Sequence, residues 1–422
     1  MKIAILGTHA GVHFVSKKLL EDDSVEKIYH IGANPAIQPA GKYVPLDLSI
    51  KQILDFLNNT GLDLVFLTTI NYLCNKEIQD KIKEKNIPSC SPSLDLSLLE
   101  WSKSHGKELL TKLNIPTAKS KTLAKNKLFE IFFDIPRPWV LKFERDWRAG
   151  LQTVIITDDN VKIEFENLQV FGQKRYSYQF GEFLDQHFVV EDFIVGKREY
   201  SYHIISNGKS WKYMGSARDY KKYLDGDLGS NTASMGCYSP VAINPKVHGF
   251  ADRILAHLNS VGTPYIGILY LGIIEDADGN PYVLEINTRP GDPEFQSILM
   301  TIDKTQSLAT MLYQAATGNM IDNIKFNNQH SVCLRIVNSD YYNIVNILAS
   351  GEWSKLEPHI NPHLWPELPG IHVSLNKDRK LLNSIITTSA PTRIEASDRI
   401  YKFLENIEMY NFTHRKDIGY LE

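Results

Sequence analysis

The stretch Val283–Glu294, VLEINTRPGDPE, decides how the rest of the chain is read. Its first half is strand-like, and a period of two puts Glu285, Asn287 and Arg289 on one face with Leu284 and Ile286 on the other. A carboxylate and an amide oxygen suit Mg²⁺, and a guanidinium suits the spread charge of a transferring phosphoryl group. Taken alone, the motif equally describes a solvated strand face. The runs Ile266–Ile274 and Pro281–Ile286, joined by Asp278-Gly279-Asn280, read as a hairpin that presents it.

Working outward, Phe188–Phe193 and Tyr200–Ile205 are further β-type runs. Glu191-Asp192-Phe193-Ile194 ends the first of them, where backbone groups could meet adenine, with Glu199 placed for ribose hydroxyls; in isolation it is a strand end. Asp219–Ser239 gathers glycines, hydroxyls, carboxylates and lysines in one long connection that either clamps a polar substrate or is a surface excursion. Lys107 and Lys142 could hold phosphates, although lone lysines are usually solvated. Ser102–Leu113 is an amphipathic helix stopped by Asn114-Ile115-Pro116. Beyond it, Trp139–Phe143 and Thr153–Thr157 read as strands of a small α+β lobe.

The N-terminal hundred residues alternate differently. Lys2–Leu6 is a strand, Gly7 and Gly11 form a turn, and Val12, Val15, Leu19 and Leu20 follow at helical spacing. Lys27–Ile31, Ile50–Leu57, Leu62–Leu67 and Lys76–Lys85 continue a βαβα order, which implies an open parallel sheet with helices on both faces. GTHAGVH lacks the full GxGxxG spacing. It reads as a tight turn before a phosphate site, and it argues against a dinucleotide-dependent dehydrogenase.

At 422 residues the chain exceeds one hydrophobic core, so two to four domains are expected. Forty-six basic against 49 acidic side chains give a net charge of −3, which supplies no broad cationic field for nucleic acid or anionic lipid. The four cysteines show no CxxC or CxxH spacing, so neither a zinc site nor a disulfide framework is indicated. No signal-like segment or membrane-length apolar run is present, and a cytoplasmic location is expected.

Together these segments resemble the ATP-grasp superfamily and, within it, the glycinamide ribonucleotide synthetase (phosphoribosylamine–glycine ligase) family. The resemblance rests on Ser102-Lys103 to Lys107, Asn114–Thr117, Glu191–Phe193, Asn231-Thr232 with Met235–Pro240, Glu285–Asn287, Arg289, Gly291–Glu294 and Arg415–Gly419. It implies an α/β and α+β multidomain ATP-grasp fold. Its parts are an N-terminal α/β domain (1–100), a central ATP-grasp domain (101–117 and 189–325), a mobile lid (118–188) and a C-terminal domain (326–422). It further implies that Lys107 and Lys142 contact ATP phosphates, that Glu191, Asp192, Phe193 and Ile194 line the adenine pocket, and that Glu199 holds ribose. Glu285 and Asn287 bind Mg²⁺, for which Mn²⁺ can substitute, and Arg289 steadies the transferred phosphoryl group. The implied reaction phosphorylates a carboxylate, such as an amino acid's, with ATP, and an amine then displaces phosphate to give an amide. No nucleic acid or membrane takes part, and the chain acts as a monomer or homodimer.

The departures from that family have a pattern. The loop that normally reads like GNGGREH is Gly7-Thr-His-Ala-Gly11-Val-His13, and GPEAPL has become Thr68-Thr-Ile-Asn-Tyr-Leu73. Both lie where the amine should sit. The lid's GLAAGKGV is replaced by Arg145–Val154, with Arg148 in place to stand in for a lost lysine. The substrate loop keeps Asp219, Lys221, Asp227, Asn231 and Thr232 but has Ala233-Ser234 in place of two glycines, and Asp292 completes the substrate side. The expectation is a carboxylate–amine ligase with an altered amine substrate. The alternatives are the purine-pathway enzyme itself and a nucleotide-binding homologue without catalysis.

Overall fold

The computed structural model describes residues 1–34, 37–145, 153–171, 177–178, 181–182, 187–339, 369–375, 382–407 and 412–421. The chain opens with β1 (Lys2–Leu6), α1 (Ala10–Leu20), β2 (Lys27–Ile31), β3 (Tyr43–Leu46), α2 (Ile50–Asn59), β4 (Leu64–Leu67), α3 (Ile70–Leu73) and α4 (Lys76–Glu84). The strands form a parallel sheet in the order β3-β2-β1-β4. Each strand of such a sheet is buried on both faces. Ile3 and Ile5 accordingly join a core with Val12, Val15 and Leu19, while Ala4 and Leu6 join one with Ile53, Leu57 and Ile78. Strand β3 was not anticipated, because Pro45 argues against a strand; the residue is tolerated on this outer strand, where no ladder partner lies beyond it.

The connections out of β1 lead to β2 on one side and, later, β4 on the other. At such a reversal the carboxyl ends of the strands open a crevice. Gly7–His9 and Thr68–Thr69 lie in it, close enough that a Cβ on Gly7 would stand 2.1 Å from Thr68 Oγ1.

Helices α5 (Leu94–Trp101) and α6 (Lys103–Lys112) lead out of this sheet, with Ser102 capping α6 through His105 N. A second sheet is built from β5 (Ser120–Ala124), β6 (Trp139–Phe143), β7 (Thr153–Ile156) and β10 (His187–Asp192), in the antiparallel order β5-β10-β6-β7. It carries α7 (Lys125–Ile131) and α8 (Val161–Phe171), and a short hairpin of β8 (Ser177–Tyr178) and β9 (Gly181–Glu182) precedes β10. Trp139, Leu141, Phe132 and Phe188 fill its core. Strand β10 runs across residues 188 and 189, so this sheet continues past the boundary expected for the lid.

The largest sheet runs β17-β16-β11-β12-β15-β18-β20-β19, with β21 beside β18, and every pairing in it is antiparallel. These strands are β11 (Gly196–Asn207), β12 (Trp211–Asp219), β15 (Gly236–Ser239), β16 (Ile266–Asp276), β17 (Pro281–Asn287), β18 (His330–Asn338), β19 (Ile371–Leu375), β20 (Leu382–Ala390) and β21 (Phe412–Thr413). Because β15 pairs with β18, the strands after residue 326 extend the central sheet instead of starting a separate one. One face of β11 sends Tyr200, Tyr202 and Ile204 into a core under α9 (Lys246–Ser260). The other meets α10 (Glu294–Thr301) and α11 (Leu308–Ala316), whose apolar residues share a core with α1. The chain closes on α12 (Arg393–Leu404), which starts at a capping box of Thr392 and Glu395.

Two local expectations change. Asp219–Ser239 is an ordered excursion: β13 (Lys222–Leu224) pairs with β14 (Leu228–Asn231) around Gly226 and Asp227, both at positive φ. In β17 the simple alternation fails, because Val283 pairs with Ile273 and Glu285 with the next residue, Gly272, leaving Leu284 as an extra residue. This bulge keeps both Val283 and Ile286 in the core and turns Glu285 and Asn287 away from it. The strand ends at Asn287, so alternation does not set the direction of Arg289.

Candidate active site

The edge strand β17, helices α5 and α6 and the second sheet enclose a cleft of roughly 340 Å³ including its open mouth, lined by Glu100, Lys103, Lys107, Lys142, Glu191, Leu284, Glu285 and Asn287 among others. Glu191, on β10, is buried and bridges two lysines. Its Oε1 is 3.2 Å from Lys107 Nζ and its Oε2 is 2.9 Å from Lys142 Nζ. Lys107 also donates to Thr117 Oγ1 (2.7 Å), which donates to the Val283 carbonyl (2.7 Å), and Lys142 reaches the Leu284 carbonyl at 3.4 Å. Burial and the neighbouring Lys142 lower Lys107 to about 8, against the pull of Glu191. The sequence placed Glu191 with adenine; its carboxylate faces the lysines. Asp192 is exposed, and Phe193 and Ile194 are half-buried just beyond it.

Glu285 stands on the far wall with the Asn287 side chain beside it. Burial alone would raise its pKa, but Lys221, Lys103 and Lys142 outweigh that and hold it near 2, so the group is ionised. Lys103 Nζ lies 3.9 Å from it. Toward the outside, Lys221 pairs with Glu199 at 2.8 Å. Glu294 is buried and Asp219 half-buried nearby, and both are shifted upward, Asp219 by desolvation and then by the charge of Glu294. Two like carboxyls so placed resist joint ionisation.

Arg289 meets a residue the sequence did not signal. Its Nε is 2.9 Å from Oε1 of Glu100, whose other oxygen accepts from Thr288 N at 2.7 Å and Thr288 Oγ1 at 3.2 Å. Glu100 precedes the Ser102-Lys103 motif, but 188 residues separate it from Thr288, and spacing carries no trace of such a contact.

A third group lies in the crevice of the parallel sheet. Asp292 takes Arg335 Nη2 at 2.8 Å, and His9 Nδ1 is 3.4 Å from its other oxygen. Burial works against its charge, yet Arg335 and His9 hold its carboxyl well below the usual range. Both glycines of the N-terminal turn are explained by close approach: a Cβ on Gly11 would stand 2.8 Å from His9 Nδ1 and 3.0 Å from Asp292 Oδ1, and one on Gly7 would strike Thr68.

The remaining predicted residues lie apart from these contacts. Asp227 is held by Arg218 and by buried Arg415, which also pairs with Asp417, so it ties the β13–β14 hairpin to the C-terminal segment. Asn231 Nδ2 donates to the Thr153 carbonyl of the second sheet (3.2 Å), and Thr232 Oγ1 to the Lys221 carbonyl (2.9 Å). Arg148 lies outside the described residues.

Among solved structures, phosphoribosylamine–glycine ligase from Thermotoga maritima shares the fold with a TM-score of 0.73 and 20% identity, covering 99% of this chain and 100% of that one. Biotin carboxylase from Campylobacter jejuni does so with a TM-score of 0.68 and 15% identity, over 99% and 94%. The fold is that of the ATP-grasp enzymes, and this chain is an ATP-dependent ligase that forms C–N bonds. Residues 1–100 match the phosphoribosylglycinamide synthetase N domain and residues 101–295 its ATP-grasp (A) domain. Phosphoribosylamine–glycine ligases of Leptospira interrogans and Streptococcus pneumoniae are 30% and 28% identical, the first over 88% of this chain and 87% of its own, the second over 99% of both. The chain belongs to the phosphoribosylglycinamide synthetase family.

Proposed function

We propose that the protein couples an amino acid's carboxylate to an amine other than phosphoribosylamine, through an acyl phosphate made with ATP. Lys107 and Lys142 take the phosphates in exchange for Glu191, the backbone of Asp192–Ile194 meets adenine, and Glu199 meets ribose. The paired oxygen donors Glu285 and Asn287 fit Mg²⁺, which usually takes one or two protein oxygens and completes its shell with phosphate and water. When bound, the ion offsets phosphate charge; Arg289, fixed by Glu100, steadies the group in transfer. Asp219, Lys221, Asn231 and Thr232 shape the acid's pocket from the β12–β15 side, and Arg148 takes the part of the family's lid lysine.

The observation that carries the altered amine is the crevice at Gly7–Gly11. Two of the segments that depart from the family, Gly7–His13 and Thr68–Leu73, meet there at His9, and the neighbouring buried guanidinium of Arg335 is committed to Asp292. The authentic phosphoribosylamine–glycine reaction is the second reading, favoured by similarity along 99% of the chain. ADP release and amide formation with glycine and phosphoribosylamine, set against glycine with a panel of other amines, decides between them. Another amine should prevail, and efficient turnover of phosphoribosylamine would overturn the proposal.

A further inference from the structure

We propose that Glu144 is a positioning residue: its carboxylate clasps the second sheet to the first turn of α6 and keeps that sheet closed over bound nucleotide. The inference rests on the nucleotide reading of the cleft given above. Glu144 directly follows β6, two residues after Lys142. Its Oε1 accepts from Ser102 Oγ and Ser104 Oγ, each at 2.5 Å, and its Oε2 accepts from Ser104 N at 3.1 Å. The main chain joins as well, with Lys103 N donating to the Glu144 carbonyl at 2.9 Å and an antiparallel bridge between Ser102 and Arg145.

These contacts do more than cap a helix. Ser102 Oγ accepts from His105 N within α6, so the N-cap is present without Glu144. The carboxylate comes from 40 and 42 positions further along the chain, and its charge meets the positive end of the helix dipole. It joins the two elements that carry the lysines proposed to take the phosphates. Lys107 lies one turn further along α6, and Lys142 lies on β6.

Among the described residues, two carboxylates tie the second sheet to α6, and a ligand acts on them differently. Glu191 on β10 reaches Lys107 at 3.2 Å inside the cleft. Phosphates that take Lys107 displace Glu191, so this tie is given up when nucleotide binds. The Glu144 tie uses two hydroxyls and a backbone N–H in place of a lysine, so it survives the exchange. In the bound state Glu144 therefore holds the sheet shut, which is when water must be kept from the reacting groups.

The full chain is mixed with Mg²⁺ and a fluorescent ADP in stopped flow as wild type, Glu144→Ala, Glu144→Gln, Ser104→Ala and the Glu144→Ala, Ser104→Ala double variant. Glu144→Ala should release the nucleotide about tenfold faster, with association within about threefold of wild type. Glu144→Gln, which keeps one acceptor oxygen, and Ser104→Ala should each fall between wild type and Glu144→Ala. The double variant should release no faster than Glu144→Ala, because the two side chains act through one contact. Hydrogen exchange in β6 should rise in the ADP complex of Glu144→Ala more than in the free protein, where Glu191 still holds Lys107. The proposal is overturned by a wild-type dissociation rate in Glu144→Ala, by a loss confined to association, by additive effects in the double variant, or by equal rises in exchange with and without ADP. Should Glu144→Ala fail to fold, wild-type rates in both Glu144→Gln and Ser104→Ala overturn it instead. A wild type that does not bind ADP removes the nucleotide reading and the clasp with it, and shows this before any substitution is made.

Discussion

Replacing Arg289 by alanine should cost both stability and rate, and the two losses have separate origins in the contacts around Glu100. Glu100 is only 3% exposed, and its charge is met by Arg289 Nε at 2.9 Å. Removing one partner of a buried pair costs about 3–5 kcal/mol, since the other charge stays in place without compensation. Thr288 still donates twice to the carboxylate, which favours the lower end, ~3 kcal/mol. At ~2.1 cal/mol/K per residue, ~1 kcal/mol is worth roughly 1 °C for a chain of 422 residues, so the thermal midpoint should fall by about 3–4 °C. If Arg289 steadies the transferred phosphoryl group as proposed, the same change should lower kcat by about 10²–10³. Thermal unfolding with and without ATP, beside steady-state ADP release, measures both. Adding Glu100→Gln to Arg289→Ala should recover much of the stability and none of the rate, because the stranded charge is gone but the guanidinium is still missing. Arg289→Lys should recover part of the stability and less of the rate, since an ammonium cannot reproduce the planar Nε contact. An Arg289→Ala protein as stable as wild type would refute the assigned pairing, and one with unchanged kcat would refute the assigned role.

Three further outcomes follow from the same contacts. Lys107 titrates near 8, below the ordinary ammonium value, so between about pH 8 and 10.5 the folded chain binds fewer protons than the unfolded one. Its destabilising contribution is therefore fully present below pH 8 and relieved as pH rises. ATP affinity should run the other way, weakening above pH 8 as the ammonium is lost; calorimetric titration should show the fall in wild type and a flatter profile in Lys107→Met. Gly11→Ala should push His9 and Asp292 apart, since its Cβ would meet both, and raise the KM for the amine while leaving that for ATP unchanged, as steady-state ADP release with each substrate varied would show. Arg415→Met should destabilise the chain by about 1–3 kcal/mol, because its charge-assisted hydrogen bonds to the partly exposed Asp227 and Asp417 are lost while both carboxylates stay partly solvated, and urea unfolding followed by tyrosine and tryptophan fluorescence should register the loss.

The parts of the fold visible in the sequence are those with a local cause. The parallel N-terminal sheet follows from apolar runs alternating with helical spacing, and the β16–β17 hairpin from its Asp-Gly-Asn turn. Strand β3 was hidden by Pro45, whose missing N–H matters only where a neighbour needs it. The bulge at Leu284 was hidden because alternation is a rule for unbroken ladders, and the extra residue shows only once β16 is paired. Glu191 was read from its neighbours in sequence, yet its side chain answers to Lys107 and Lys142, 84 and 49 positions away. Glu100, His9 and Arg335 stayed unread for the same reason, since each gains its meaning from a partner that only the folded chain brings near.

The uneven divergence has a physical basis. Phosphoryl transfer from ATP presents the same charges whatever acid or amine is joined, so Lys107, Lys142, Glu285, Asn287 and Arg289 answer to one unchanging demand. The amine presents a different one, because its size, charge and basicity vary with its identity. The turn Gly7–His13 lacks the arginine and the glutamate of the family's GNGGREH and sets His9 against Thr68 instead, so the charges it offers to an amine differ. His9 thus touches the altered segment at Thr68 and the retained GDPE segment at Asp292, which joins the divergent side of the crevice to the family-like one.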